Sequence, residues 1–192
     1  MNALQVETAI RRHTAGVTLI PEASVRYSKG MAEGWGGRSY ERFGDYFADF
    51  MMVSDSNYAT ELEVKVSLAD WRVDLQKPKW TGEAFPKWIT RFIYVVPVEL
   101  GIPSWVPEVA GIWHVKQGFI RVGGVLCPDF PRLIVARAPK RIGKEKLPPE
   151  VMSKWLLSMY YRYWNMRTER FNHKAAQLPK PATVEVTEGI EL

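Results

Sequence analysis

The run ELEVKVSLADWRVDLQKPKW (61–80) decides how this chain is read, and its first seven residues carry most of the weight. Over Glu61–Ser67, β-branched and aliphatic residues alternate with charged ones, which predicts a strand. Leu62, Val64 and Val66 then point to one face, and Glu61, Glu63 and Lys65 to the other. Two carboxylates and a lysine on one side of such a strand are costly to bury unless they pair with one another or hold a cation. Ser67 predicts a helix N-cap, with Asp70 three residues on as a variant of the capping box. The helix it opens spans 67–77 and stops at Pro78.

The upstream flank repeats the oddity. YFADFMMVSD (46–55) predicts a strand, and Asp49 sits in it where an aliphatic residue is expected. The turn SNYAT makes the two strands a hairpin or near neighbours. Adjacent strands bring Asp49 and Glu63 toward one cation, with Lys65 beside them. Such oxygen ligands suit Mg²⁺ or Mn²⁺. A metal there activates water and neutralises charge on a phosphoryl transition state, and Lys65 orients the water or stabilises the developing charge.

Farther out, residues 3–14 predict a helix and 17–27 a strand edged by Pro21. Five glycines within 28–44 predict a long loop. RFIYVVP (91–97) reads as a buried strand. GIWHV (111–115) and FIRVGGVL (119–126) flank Lys116-Gln117-Gly118 as a hairpin, and 149–172 reads as a long helix. This order predicts an α/β fold, a mixed central β-sheet flanked by helices, with a helical C-terminal extension. The expected division is a core over 1–126, a basic, aromatic-rich extension over 127–172, and a disordered tail over 173–192.

The arrangement resembles the PD-(D/E)xK nuclease superfamily, whose core is restriction-endonuclease-like. Asp49 matches its first acid, and Glu63-Val64-Lys65 its ExK element. EVKVSLADWRVDLQKPKW, followed by RFIYVVP and AGIWHV, is similar to the MmcB-like branch, described as DNA-repair nucleases. The similarity spans roughly residues 3–126. It implies Asp49, Glu63 and the Val64 carbonyl as metal ligands, Lys65 as the catalytic lysine, and Glu7 on the first helix as a further catalytic acid. Asp45 competes for the place of first acid, but it falls at the strand start, so Asp49 is preferred. A solvated strand face with cross-strand ion pairs is the plainer alternative for Glu61, Glu63 and Lys65.

Charge points the same way. The chain carries 26 Lys and Arg against 21 Asp and Glu, and the excess lies late. Residues 128–180 hold twelve basic groups against Asp129, Glu145, Glu150 and Glu169. Such a region suits a polyanion. The expected partner is DNA, with RNA left open. Candidate phosphate contacts are Arg42 by the glycine-rich segment, Lys77 and Lys79 after the motif helix, and Lys140, Arg141, Lys144 and Lys146 in a basic loop. In the last helix Trp155, Met159, Tyr163 and Met166 form a stripe expected to bury, either in the core or in a homodimer. A single cysteine, Cys127, excludes an internal disulfide. No apolar run reaches membrane-spanning length, and Glu7, Arg11 and Arg12 fall where a signal peptide needs an apolar core, so a cytoplasmic protein is expected. The reading is a metal-dependent nuclease, with a non-catalytic DNA-binding module or an assembly protein as alternatives.

Overall fold

The computed structural model describes residues 1–33, 39–77, 79–80 and 85–176. Helix α1 (Ala3–His13) is followed by strands β1 (Thr18–Glu33), β2 (Ser39–Val53) and β3 (Ala59–Val64). Then come helix α2 (Leu68–Asp74) and strands β4 (Ile89–Pro97), β5 (Gly111–Val122) and β6 (Val125–Arg137), with helix α3 (Pro149–Ala176) last. The six strands form one sheet in sequence order. The outer pairs β1–β2, β2–β3 and β5–β6 are antiparallel, and β3–β4–β5 are parallel. This is the expected mixed sheet flanked by helices.

β4 shows why RFIYVVP is apolar throughout. Ile93 and Val95 pack with Val6, Ala9 and Ile10 of α1. Phe92, Tyr94 and Val96 pack with Trp71 of α2. A strand covered on both faces has no solvent side to mark with polar residues. β3 has the same two neighbours. Leu62 joins the α1 layer, while Glu61 and Glu63 pair in register with Phe92 and Tyr94 and so share the α2 face.

Two expectations are corrected. Most of the loop expected over 28–44 is strand: β1 and β2 form a ribbon paired from Thr18↔Val53 to Glu33↔Ser39. Gly44 reads as a loop residue but serves close approach, since a Cβ there would fall 2.6 Å from the Tyr27 ring. The second correction concerns the late hairpin. It turns at Gly123-Gly124, both with positive φ (58° and 83°), and β5 continues through Lys116-Gln117-Gly118 with a register shift against β6. Consecutive positive φ values are what a two-residue turn needs to match strand twist. The boundary expected at 126 falls inside β6, which pairs with β5 as far as Ile112↔Arg137.

The chain divides into compact units Met1–Trp155 and Leu156–Leu192. The first turns of α3 belong to the first unit, where the Trp155 indole N–H donates to the Ser24 carbonyl at 2.7 Å and its ring meets Trp88. Within the chain the stripe buries only at Trp155, and Tyr163 and Met166 are about half exposed, as a homodimer surface would leave them. Among the described residues, no helix is long and apolar enough to cross a membrane.

Candidate functional site

The site begins where the β2–β3 ladder stops. Its last pair is Phe50↔Leu62, so the next would set Asp49 against Glu63. The ladder does not continue. The Val64 N–H donates instead to Asp49 Oδ2 at 2.7 Å, and the Lys65 N–H turns to the Val95 carbonyl on β4 at 3.1 Å. A side-chain carboxylate thus takes the place of a backbone acceptor. Ser67 then caps α2 by accepting from the Asp70 N–H. Asp70 and Asp74, one turn apart, approach Lys65 Nζ at 3.7 and 3.6 Å.

On the α2 face lies a closed ionic network. Lys65 Nζ sits 2.9 Å and Lys77 Nζ 2.6 Å from Glu63 Oε1, and Lys79 Nζ sits 3.3 Å from Glu63 Oε2. Lys79 also pairs with Glu61 at 2.9 Å, and Lys77 with Asp74 at 2.6 Å. The Tyr46 hydroxyl donates to Glu61, and the Tyr94 hydroxyl and Trp80 indole donate to Asp74. Glu61, Glu63 and Asp74 face Lys65, Lys77 and Lys79, and burial pushes the Glu61 carboxyl up against the pull of Lys79. Every one of these residues except Lys77 is buried. Burial pushes the Asp74 carboxyl up, but Lys79 and the hydrogen bonds from Lys77 and Tyr94 reverse this and hold it well below its usual range. Burial alone would lower the Lys79 ammonium. Glu61, Glu63 and Asp74 outweigh it, so Lys79 stays charged.

Asp49 lies outside this network. It opens on a cleft of about 310 Å³ lined by Glu7 and Arg11 of α1, Glu22 of β1, Val64 and Asp70. Burial, then repulsion from Glu63, push its carboxyl up to about 6, against the pull of the Val64 N–H, Lys65 and Lys77. Of the expected site residues, Asp49, Val64 and Glu7 therefore meet in one cleft. Glu63 and Lys65 stand behind it, facing the lysines. Arg11, Glu22 and Asp70 were not anticipated. Arg11 follows Glu7 by four residues on one helix, a spacing that could have revealed it.

Among the described residues, no three His, Cys, Asp or Glu side chains gather as a group that could hold a metal. Asp49 and Val64 both line the cleft, and a carboxylate is a donor of the hard-oxygen type that Mg²⁺ or Mn²⁺ takes. Asp49 is also a desolvated carboxylate that an adjacent cation would relieve. Glu63, the other expected carboxylate ligand, is already engaged by three ammonium groups.

The expected phosphate contacts are placed apart. Lys79 is not at the surface: its side chain is 3% exposed, and its ammonium lies 4.4 Å from the Phe92 ring centroid. Lys77 is 37% exposed at the network's rim. The Arg42 side chain lies outside the described residues. The basic loop is stitched to the starts of β3 and β4, with Leu147 N–H donating to Asn57 and Ile142 N–H to Thr90. Lys140 pairs with Glu108, and the Arg141 side chain donates to the Gly143 carbonyl. Lys144 and Lys146 are exposed. The cleft is at the other end of β3, roughly 16 Å away at about 3.3 Å per residue.

A mixed sheet with helices on both faces, opened at its centre where Asp49 meets the Val64 N–H, defines an α/β protein. No protein-family model matches the chain, and no curated protein matches it. Among solved structures it is similar to the SPO1766 protein of unknown function from Silicibacter pomeroyi. The two share 17% identity and a TM-score of 0.53, over 88% of this chain and 94% of that one. At that identity the likeness shows a shared fold alone.

Proposed function

We propose that the protein is a divalent-metal-dependent nuclease hydrolysing phosphodiester bonds in DNA. The observation that carries this reading is the junction at the β2–β3 split. There Asp49 takes the Val64 N–H beside Glu63-Val64-Lys65 and opens on the cleft that Glu7 lines. Asp49 and the Val64 carbonyl would hold Mg²⁺ or Mn²⁺, with Glu63 behind them and Glu7 across the cleft. The ion supplies activation of water and neutralisation of phosphoryl charge. The chain's own residues do the positioning. The Val64 N–H fixes the Asp49 carboxylate, and α1 sets Glu7 opposite it. Glu63, Asp70 and Asp74 hold the Lys65 ammonium behind the cleft, 3.7 Å from the Asp70 carboxylate that lines it, from where it would stabilise developing negative charge.

One observation favours a second reading, a nucleic-acid-binding module without turnover. The ExK carboxylate is saturated by Lys65, Lys77 and Lys79. The two readings separate in one experiment. The protein is incubated with single-stranded, duplex, nicked and branched DNA in Mg²⁺ or Mn²⁺, beside Asp49→Asn and Glu7→Gln. The nuclease reading expects metal-dependent cleavage that falls at least about 100-fold in Asp49→Asn, with circular dichroism unchanged. Salt-sensitive binding with no cleavage of any form leaves the second reading. Cleavage by Asp49→Asn at the unsubstituted rate overturns the assignment of the cleft.

A further inference from the structure

The second compact unit holds a helix whose apolar side chains are uncovered within it. From Leu156 onward, Leu156, Tyr160, Tyr163, Trp164 and Phe171 are each 46–72% exposed. At 3.6 residues per turn these five fall in one arc of about 100°, with Arg167 inside it, while the equally exposed Leu157, Tyr161 and Met166 fall outside it. Ser158, Asn165, Glu169 and Asn172 take the opposite side. Aromatic rings exposed on this scale mark a contact surface. The charge says what kind. Over 156–173 Arg162, Arg167 and Arg170 stand against Glu169. The Arg167 guanidinium lies 5.6 Å from the Trp164 ring and 5.8 Å from that of Tyr163, whose hydroxyl accepts from Arg167 at 3.0 Å.

We propose that this helix is a binding arm for single-stranded nucleic acid, with Tyr160, Trp164 and Phe171 stacking on bases and the arginines meeting phosphates. The inference rests on the nucleic-acid reading given above and names the strand form it takes. Arginine among aromatics is the chemistry of a single-strand platform. Bases in a duplex are already stacked, so a duplex would engage the arginines and leave the rings idle. A second copy is the competing occupant; the arc carries Arg167 and no carboxylate, since Glu169 takes the opposite side, so a copy of the same arc would meet that charge with none.

The test uses the full chain in EDTA, so that cleavage plays no part. Binding of a fluorescein-labelled oligothymidylate of about 20 nucleotides is measured by anisotropy beside a duplex of equal length. The single strand is expected to bind more tightly. Trp164→Ala and Tyr160→Ala each weaken it by about 5- to 100-fold, and Trp164→Phe retains most of the affinity. Duplex binding changes less than about 2-fold in the same variants, because only phosphate contacts reach it. Unchanged oligothymidylate affinity in both alanine variants overturns the proposal, as does absence of binding or equal loss on both strand forms. So does a dimer in light scattering that Trp164→Ala converts to monomer, since the arc is then its own partner. Single-strand binding that behaves as expected without Mg²⁺-dependent cleavage removes the nuclease reading and leaves the arm in place.

Discussion

The carboxylates on the α2 face and Asp49 at the cleft come from neighbouring elements, yet they do different things. Glu61, Glu63 and Asp74 are closed off by three lysines, two tyrosines and a tryptophan. Asp49 has one backbone N–H, a cleft, and a carboxyl raised to about 6. Buried charge that is fully partnered is committed to structure, and moving it costs the fold. Desolvated charge left partly unmet is free to bind what arrives. Residue type does not separate the two groups; the partners do.

The largest effect belongs to the closed side. Lys79→Met leaves Glu61, and one oxygen of Glu63, buried without an ammonium. Breaking a buried pair from one end costs about 3–5 kcal/mol. Urea unfolding at pH 7 reads this as a lower midpoint at similar slope. Adding Glu61→Gln to Lys79→Met restores part of the loss, because the amide carries no charge to strand. A single Lys79→Met variant as stable as the parent protein would mean the network is solvated after all, and the contrast with Asp49 would disappear.

Asp49→Asn is expected to act in the opposite direction. The folded carboxyl titrates near 6 and the unfolded one near 3.8. Between those values the folded state binds more protons, so stability falls as pH rises through the window. Above it, the ionised Asp49 costs up to about 3 kcal/mol at 1.36 kcal/mol per pH unit. Asparagine can still accept from the Val64 N–H but has no charge to desolvate. The variant should therefore melt higher than the parent at pH 8, and the gap should close toward pH 4. Thermal melts across that range check it. A gap that stays constant with pH would show that burial of the charge is not what sets Asp49 apart.

Much of this was legible in the sequence, and the failures share a cause. Alternation in 61–67 and Asp49 in an apolar strand located the junction, because each is a departure from local pattern; Glu7 came only from the resemblance to the nuclease superfamily. Lys77 and Lys79 were read as surface lysines. Sequence shows that a lysine carries charge, but not that α2 folds it back over Glu61 and Glu63. The β1–β2 ribbon was hidden because a glycine that accommodates the Tyr27 ring looks like one that bends a loop. The hairpin turn was misplaced because both Lys116-Gln117-Gly118 and Gly123-Gly124 carry turn chemistry, and only cross-strand register chooses between them.

The smallest effect comes from the basic loop, which charge counting made the leading phosphate contact. Its backbone is tied to the starts of β3 and β4, at the far end from the cleft. A strand bound at the cleft reaches it only by running the length of β3. Lys144→Ala with Lys146→Ala is therefore expected to leave cleavage within about 2-fold, and to flatten the dependence of log affinity on log salt by well under one unit. Two true phosphate contacts would flatten it by roughly 1.4–1.8, at about 0.7–0.9 per neutralised charge. A change that large would place nucleic acid across both ends of the sheet. The open cleft would then be one station on a longer track, and its contrast with the closed network would no longer define where substrate lies.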